Sequence, residues 1–304
     1  MLMADTSLMF KYLNQIIDNE VKEADLDLYS VIIGTKPSSG ARSPKLWNKV
    51  YNHEGKRVLM VPLDVREEEL EKLFNYLRKD EHCLGGAVAV PYKEKVFNFI
   101  KDNVKEEIKA IGAVNCFYRP TSKPSNDSFT GTNTDGEAAL EPIRKELSET
   151  ENLTIGLLGF GGAGKAILAF LLKYYKEKHQ IYIFNRSHVD FKNEKNFRLH
   201  SHPLINLDTY LPDFDLLINA TSIGHIENAH MTPVPTELLA KAKKTLIVYD
   251  IIYDPIKTVL LRDSEKVGLQ TINGLRMNLI QAVLAYSYTN PTSLVKDEIY
   301  RIMS

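Results

Sequence analysis

This sequence predicts a two-domain α/β protein, and three observations carry the prediction. Short apolar runs alternate with helical periodicities from Tyr29 to Ile272, at the spacing of strand–helix–strand units. The chain has 304 residues, long for one domain and comfortable for two. The stretch Leu153 to Leu172, LTIGLLGFGGAGKAILAFLL, passes from an apolar run through a glycine-rich turn into a helical pattern.

Taken in order, residues 1 to about 28 read as a helix with Leu8, Tyr12, Leu13, Ile16 and Ile17 on one side, then an acidic turn. Tyr29 to Gly34 (YSVIIG) reads as a strand, and the small, polar TKPSSGARSP after it as a flexible loop. A helix from Pro44 to His53 has Pro in its first turn, turns Leu46, Trp47 and Val50 inward, and ends at Gly55. Val58 to Val65 is a second strand. Glu67 to about Lys79 is a helix whose acidic first turn suits the positive end of its dipole. Gly85 to Pro91 (GGAVAVP) is a third strand, and Tyr92-Lys93-Glu94 opens another helix. A short helix, Lys105 to Ala110, precedes strands at Val114 to Arg119 and Phe129 to Asn133, joined by the turn-rich PTSKPSNDS. Asp135-Gly136 opens a helix to about Leu147, so a domain boundary near Thr134 is natural. The second sheet continues through Ile181 to Phe184, Leu216 to Asn219, Leu246 to Ile251 and Leu269 to Ile272. Helices at Leu275 to about Tyr288 and Leu294 to Met303 fit either domain on pattern alone.

The glycine turn carries the strongest local signal. Ile155, Leu157 and Leu158 mark a strand buried on both faces, and Ile167, Leu168, Leu171 and Leu172 mark the buried side of the following helix. Between them, Gly159-x-Gly161-x-x-Gly164 fits the dinucleotide fingerprint. One glycine allows the tight turn, one lets a pyrophosphate approach the backbone, and one allows close helix–strand packing. The helix N-terminus adds unpaired N–H groups and partial positive charge. The same residues nearly spell a nucleoside-triphosphate loop up to Lys165, but Ala166 stands where a Ser or Thr hydroxyl would meet magnesium. A glycine-rich turn without a ligand is the plain alternative; its place between strand and helix favours a dinucleotide.

Composition narrows the class. With 44% hydrophobic and 25% charged residues and a net charge of −1, the chain has an ordinary core and no electrostatic footprint for nucleic acid or anionic membrane. Cys83 and Cys116 form no metal or redox motif, and the N-terminus shows no secretory pattern. A cytoplasmic home is the expectation, as monomer or homodimer, and the N-x-S/T triplets at Asn126, Asn152, Asn185 and Asn219 are then chance. His200, His202, His225 and His230 share no metal-ligand spacing, so no metal is expected.

Two ionisable residues stand where chemistry would sit. Lys93 follows a buried strand, at the edge where an open α/β sheet presents ligands, and Asp135 lies at the domain junction. A lysine beside a carboxylate in a partly dry cleft can shuttle a proton. On the residues alone, a first-turn lysine is more often solvated and an aspartate before a helix more often a cap.

The segments IIG…SP, GAVAVPYKEK, IGAVN, GTNTDG, GLLGFGGAGKA, FNRS, INATSIG, VYDIIYDP and TINGLRM…Q occur in this order, and with them the chain resembles the shikimate dehydrogenase family over about residues 29–290. The resemblance implies an N-terminal α/β substrate-binding and catalytic domain with a mainly parallel sheet, residues 1–134 plus 274–304. It implies a Rossmann-type NAD(P)-binding domain over residues 135–273. Lys93 and Asp135 match the family's catalytic pair. Ser39, Asn115, Tyr253 and Gln281 match substrate-binding residues. Gly159, Gly161, Gly162, Ala163, Gly164, Asn185, Arg186, Ser187, Thr221 and Gly274 match cofactor-binding positions. The implied activity is reversible NADP-dependent reduction of 3-dehydroshikimate to shikimate or a close analogue, in aromatic amino acid and chorismate biosynthesis.

The chain also departs from the family pattern. Ala41, Ala87 and Ala89 stand where the family carries polar residues facing substrate, and the Ser39 loop holds an extra residue. A site without partners for a hydroxyl or carboxylate discriminates weakly for it or prefers another substrate. Arg42 and Lys36 lie in the same loop and could supply charge to a carboxylate. At the end of IYIF, Asn185-Arg186-Ser187-His188 offers no acid for a ribose 2′-hydroxyl, which favours NADP; Asp190 stands where NADP users often carry a second basic residue, with Lys192 near it. The alternatives are a quinate or shikimate dehydrogenase using NAD, and a non-catalytic regulator that binds cofactor or a cyclic acid.

Overall fold

The computed structural model describes residues 6–120, 128–175, 178–187 and 198–304. In chain order its first elements are α1 (Thr6–Leu13), β1 (Leu28–Gly34), α2 (Pro37–Gly40), α3 (Ser43–His53), β2 (Val58–Asp64), α4 (Leu70–Lys79), β3 (Cys83–Val88), α5 (Lys93–Ile100), α6 (Glu106–Ile111), β4 (Cys116–Tyr118) and β5 (Thr130–Thr132). Then come α7 (Asp135–Leu140), α8 (Arg144–Glu149), β6 (Thr154–Leu158), α9 (Gly162–Tyr175), β7 (Gln180–Asn185), β8 (Leu199–Pro203), α10 (Leu207–Tyr210), β9 (Leu216–Asn219), α11 (Thr236–Leu239), β10 (Ile247–Asp250), α12 (Val259–Lys266) and β11 (Gln270–Ile272). The chain closes with α13 (Leu275–Thr289) and α14 (Lys296–Met303). Two compact units divide it, residues 1–134 with 279–304, and residues 135–278.

In the first unit a five-stranded sheet runs in the order β2-β1-β3-β4-β5. β2, β1 and β3 are parallel, whereas β4 and β5 add as an antiparallel pair. One face is covered by α3 and the C-terminal helices. Ile32, Trp47, Val50, Tyr51 and Met60 form one apolar cluster with Ala282, Val283, Tyr286, Ile299 and Met303. The Trp47 indole donates to the Ala282 carbonyl at 3.2 Å, and the Tyr51 hydroxyl donates to Asn290 Oδ1 at 2.6 Å. On another side of the unit Arg119 closes the C-terminal end of α4: its guanidinium donates to the carbonyls of Leu77, Arg78, Asp80 and Cys83 and lies over the Phe129 ring.

In the second unit all six strands are parallel, in the order β11-β10-β9-β6-β7-β8. Numbered within the unit this is 3-2-1-4-5-6, the doubly wound order of a dinucleotide-binding sheet. Leu158, Phe184, Leu217 and Val248 bury one face against Leu207, Leu211, Phe214, Leu239, Leu260 and Leu261.

The structure differs from the sequence expectations at several elements. The N-terminal helix is confined to α1; the rest of that segment is irregular and pinned by Asn14, whose side chain bonds Val21 N and O, and by Asn19, which bonds Pro62 O and Asp64 N. The loop after β1 contains the helical turn α2. β8 and α12 form where the sequence reading placed no element.

Candidate functional site

The turn after β6 is shaped for close approach. β6 lies between β9 and β7, the point where strand order reverses and a doubly wound sheet opens a crevice at its carboxyl ends. Gly159 has φ +90°, and a Cβ on it would lie 2.9 Å from Thr221 Cγ2, so the turn rests against the segment leaving β9. A Cβ on Gly164 would lie 2.2 Å from the Gly159 carbonyl oxygen, so only glycine lets α9 start this close to the strand. At Gly161 a Cβ would meet nothing within 4 Å. Packing makes no demand for glycine there, and the open backbone is what a pyrophosphate needs. With Gly162, Ala163 and Gly164 in the first turn of α9, this cradle fits a dinucleotide.

The surrounding loops are tied down by side chains. Asn219, the last residue of β9, accepts from Thr221 N at 3.0 Å and Thr221 Oγ1 at 2.7 Å. Thr221 Oγ1 in turn accepts from Ile223 N at 3.1 Å. At the end of β7 the Asn185 amide donates to Ser187 O and Oγ at 3.2 and 3.3 Å, leaving Arg186 exposed. His188, Asp190 and Lys192 lie outside the described residues. Tyr253, half-buried, follows Ile252, whose carbonyl accepts from Gly274 N at 3.1 Å. A Cβ on Gly274 would lie 1.9 Å from Ile251 O, which explains glycine where the loops after β10 and β11 touch. Asp135 is 5% exposed and opens α7; a Cβ on the next residue, Gly136, would press on Phe170 and Ala166 of α9.

In the first unit Lys93 opens α5, half-buried, and its carbonyl accepts from Val114 N at 3.0 Å, which sets it beside Asn115. Asn115 is buried. Its Oδ1 accepts from Thr134 N at 2.8 Å, its Nδ2 donates to Thr134 Oγ1 at 2.9 Å, and Thr134 Oγ1 donates to Gln281 O at 3.2 Å. Asn115, Thr134 and Gln281 are thereby brought together. Ser39 is not part of this group: it sits exposed on α2, its hydroxyl donating to Lys36 O at 3.0 Å. Its neighbour Ser38 is held by Asp64 through backbone N–H (2.8 Å) and hydroxyl, so Asp64 anchors this loop. Ala41, Ala87 and Ala89 all pack with the apolar cluster around Trp47.

The sequence reading passed over Asp64, Thr134 and Ser43, which is buried in the first turn of α3. Only Ser43 gave a local signal, a serine directly before a first-turn proline. It also passed over the aromatic role of two histidines: His200 stacks on Tyr182 at 4.5 Å and His202 on Tyr210 at 4.4 Å. Among the described residues no group of three or more His, Cys, Asp or Glu could hold a metal, and no helix is long and apolar enough to cross a membrane.

A family model for the shikimate dehydrogenase substrate binding domain matches residues 32–117. The chain is 35% identical over 251 residues to the shikimate dehydrogenase (NADP(+)) of Pyrococcus abyssi, with 83% of this chain and 88% of that one covered. It is 29% identical over 294 residues to the shikimate dehydrogenase (NADP(+)) of Methanococcus vannielii, covering 91% and 99%. A crystal structure of a shikimate dehydrogenase in complex with NADP+ has TM-score 0.73 and 26% identity, covering 93% of this chain and 96% of that one. On fold, glycine cradle and sequence together, the chain belongs to the shikimate dehydrogenase family.

Proposed function

We propose that the protein is an NADP-dependent oxidoreductase that interconverts 3-dehydroshikimate and shikimate, or a close analogue. The observation that carries this reading is the glycine cradle at the switch point of an all-parallel sheet, in a chain that also groups Asn115, Thr134 and Gln281 beside Lys93. The curated relatives named above, shikimate dehydrogenase (NADP(+)), set the substrate class. NADPH, when bound, supplies the hydride; the protein supplies position and proton.

The N–H groups at the start of α9 hold the pyrophosphate, with Gly161 leaving the backbone open to it. Arg186, exposed beyond β7 with no acid beside it in the described strand end, takes the 2′-phosphate, with Asn185 and Ser187 shaping the turn. Lys93 gives a proton to the alkoxide that develops on the substrate ring, and Asp135 accepts from a substrate hydroxyl. Asn115, Ser39, Tyr253 and Gln281 orient the substrate. Ala41, Ala87 and Ala89 present methyl groups continuous with an apolar cluster, so this reading expects relaxed or altered selectivity among cyclic hydroxy acids.

The test is nicotinamide reduction against shikimate, quinate and aminoshikimate with NADP+ or NAD+. NADP-dependent turnover of one of them is the expected result; cofactor binding with no turnover of any would move the protein to a regulatory role. Lys93→Ala is expected to lower turnover by roughly 10²–10⁴-fold with NADPH binding unchanged. Turnover equal to wild type would remove Lys93 as proton donor.

A further inference from the structure

We propose that Asp250 is a positioning residue for the cofactor, fixing the Thr221 N–H and hydroxyl against the glycine turn by locking the orientation of the Asn219 amide. The inference rests on the assignment of a dinucleotide to this unit.

Asp250 ends β10, next to β9 in the sheet, and is fully buried. Its carboxylate accepts three hydrogen bonds: from Thr258 Oγ1 at 2.7 Å on Oδ2, and from Asn219 Nδ2 and Ile252 N, both at 3.1 Å, on Oδ1. A carboxylate only accepts, so the Asn219 amide must turn its NH₂ toward Asp250 and its carbonyl oxygen the other way. That oxygen meets Thr221, taking both its backbone N–H and its hydroxyl. Were the amide reversed, an NH₂ would face the Thr221 N–H, donor against donor. Thr221 is the residue whose methyl a Cβ on Gly159 would strike. Asp250, joined by the Ile223 carbonyl that the same Asn219 NH₂ reaches at a longer 3.4 Å, thus sets the polarity of a chain of bonds that ends beside the cofactor cradle. Its second arm, Ile252, precedes Tyr253 and bonds Gly274, so one carboxylate fixes the loops after two neighbouring strands.

A role confined to packing does not account for the residue. A buried carboxylate is costly, and an apolar side chain of similar size would fill the same space better. Burial pushes the Asp250 carboxyl up to about 6 in spite of the three bonds it accepts, so the charge is held there at neutral pH against its own desolvation.

The test measures NADPH dissociation constants by nicotinamide fluorescence for the full chain, with circular dichroism melting as a control for folding. Asp250→Leu and Asn219→Leu are each expected to weaken NADPH binding about tenfold, as for loss of a hydrogen bond to a charged group. The double variant is expected to bind no more weakly than either single one, since both break the same chain. Turnover at saturating NADPH is expected to fall less than NADPH affinity, which separates loss of binding from loss of chemistry. Should Asp250→Leu not fold, Asp250→Ala serves: it removes both carboxylate oxygens without adding bulk, takes this acceptor from the Asn219 NH₂, and is expected to weaken binding severalfold. Wild-type affinity in folded Asp250→Ala or folded Asp250→Leu overturns the proposal, as do effects that multiply in the double variant. A wild-type chain that does not bind NADPH overturns the cofactor assignment and this inference with it; normal wild-type binding with unaffected variants overturns this inference alone.

Discussion

Asp250 also leaves a signature in the pH dependence of stability. Burial is the largest influence on its carboxyl and raises it; the bonds from Thr258, Ile252 and Asn219 pull the other way and do not win. The folded chain therefore holds this proton more tightly than the unfolded chain. The group's contribution to stability is complete below about pH 4 and is lost as the pH rises through about 6. Relative to Asp250→Asn, wild type is expected to lose on the order of 3 kcal/mol of unfolding free energy between about pH 4 and pH 7. Urea denaturation of both proteins at the two pH values measures this, and a wild-type-minus-variant difference that does not change with pH would refute it. Nothing in the sequence announces Asp250, because its role depends on Asn219 and Thr258, brought to it by the sheet and the following turn. Gly159 and Gly164 were legible for the opposite reason: a positive φ or a neighbouring carbonyl restricts the residue type at the position itself.

Elements were legible where one side of a strand or helix repeats in hydrophobicity. β6, β9 and β10, buried along nearly their whole length, read as apolar runs. β8 escaped because LHSHP is a partly exposed edge strand, paired only to β7, and its two histidines serve as aromatic surface. α12, VLLRDSEK, hides its buried Leu260 and Leu261 among charges, though Thr258 accepts from Leu261 N as its cap. The N-terminal segment has helix-like spacing, yet side chains of Asn14 and Asn19 satisfy its backbone and that of β2 instead. The glycine turn gives a prediction at this scale, because its glycines are there for different reasons. Gly161→Ala is expected to melt like wild type but bind NADPH more weakly, since its methyl enters open space meant for the ligand. Gly164→Ala is expected to lose roughly 1–3 kcal/mol of stability from the contact with Gly159 O. Melting curves and NADPH titrations separate the two; equal losses of stability would contradict the reading.

The first unit is assembled from two distant stretches of sequence, and its apolar cluster is incomplete without Ala282, Val283, Tyr286, Ile299 and Met303. Trp47, Tyr51 and Lys49 all reach hydrogen-bond partners beyond residue 281. The second unit is one unbroken stretch, residues 135–278. On the ribosome, where domains ordinarily fold in the order they emerge, this layout reverses the sequence of events. The stretch 1–134 leaves the exit tunnel first and must wait, its Trp47 face uncovered, until residues 279–304 have emerged, while the second unit can already be complete. Arrested nascent chains that stop after residue 278 and are joined to the arrest point by an unstructured linker long enough to clear the exit tunnel are therefore expected to resist protease over much of 135–278 while remaining sensitive over 1–134. Early protection of the amino-terminal stretch would show that it folds without its final helices.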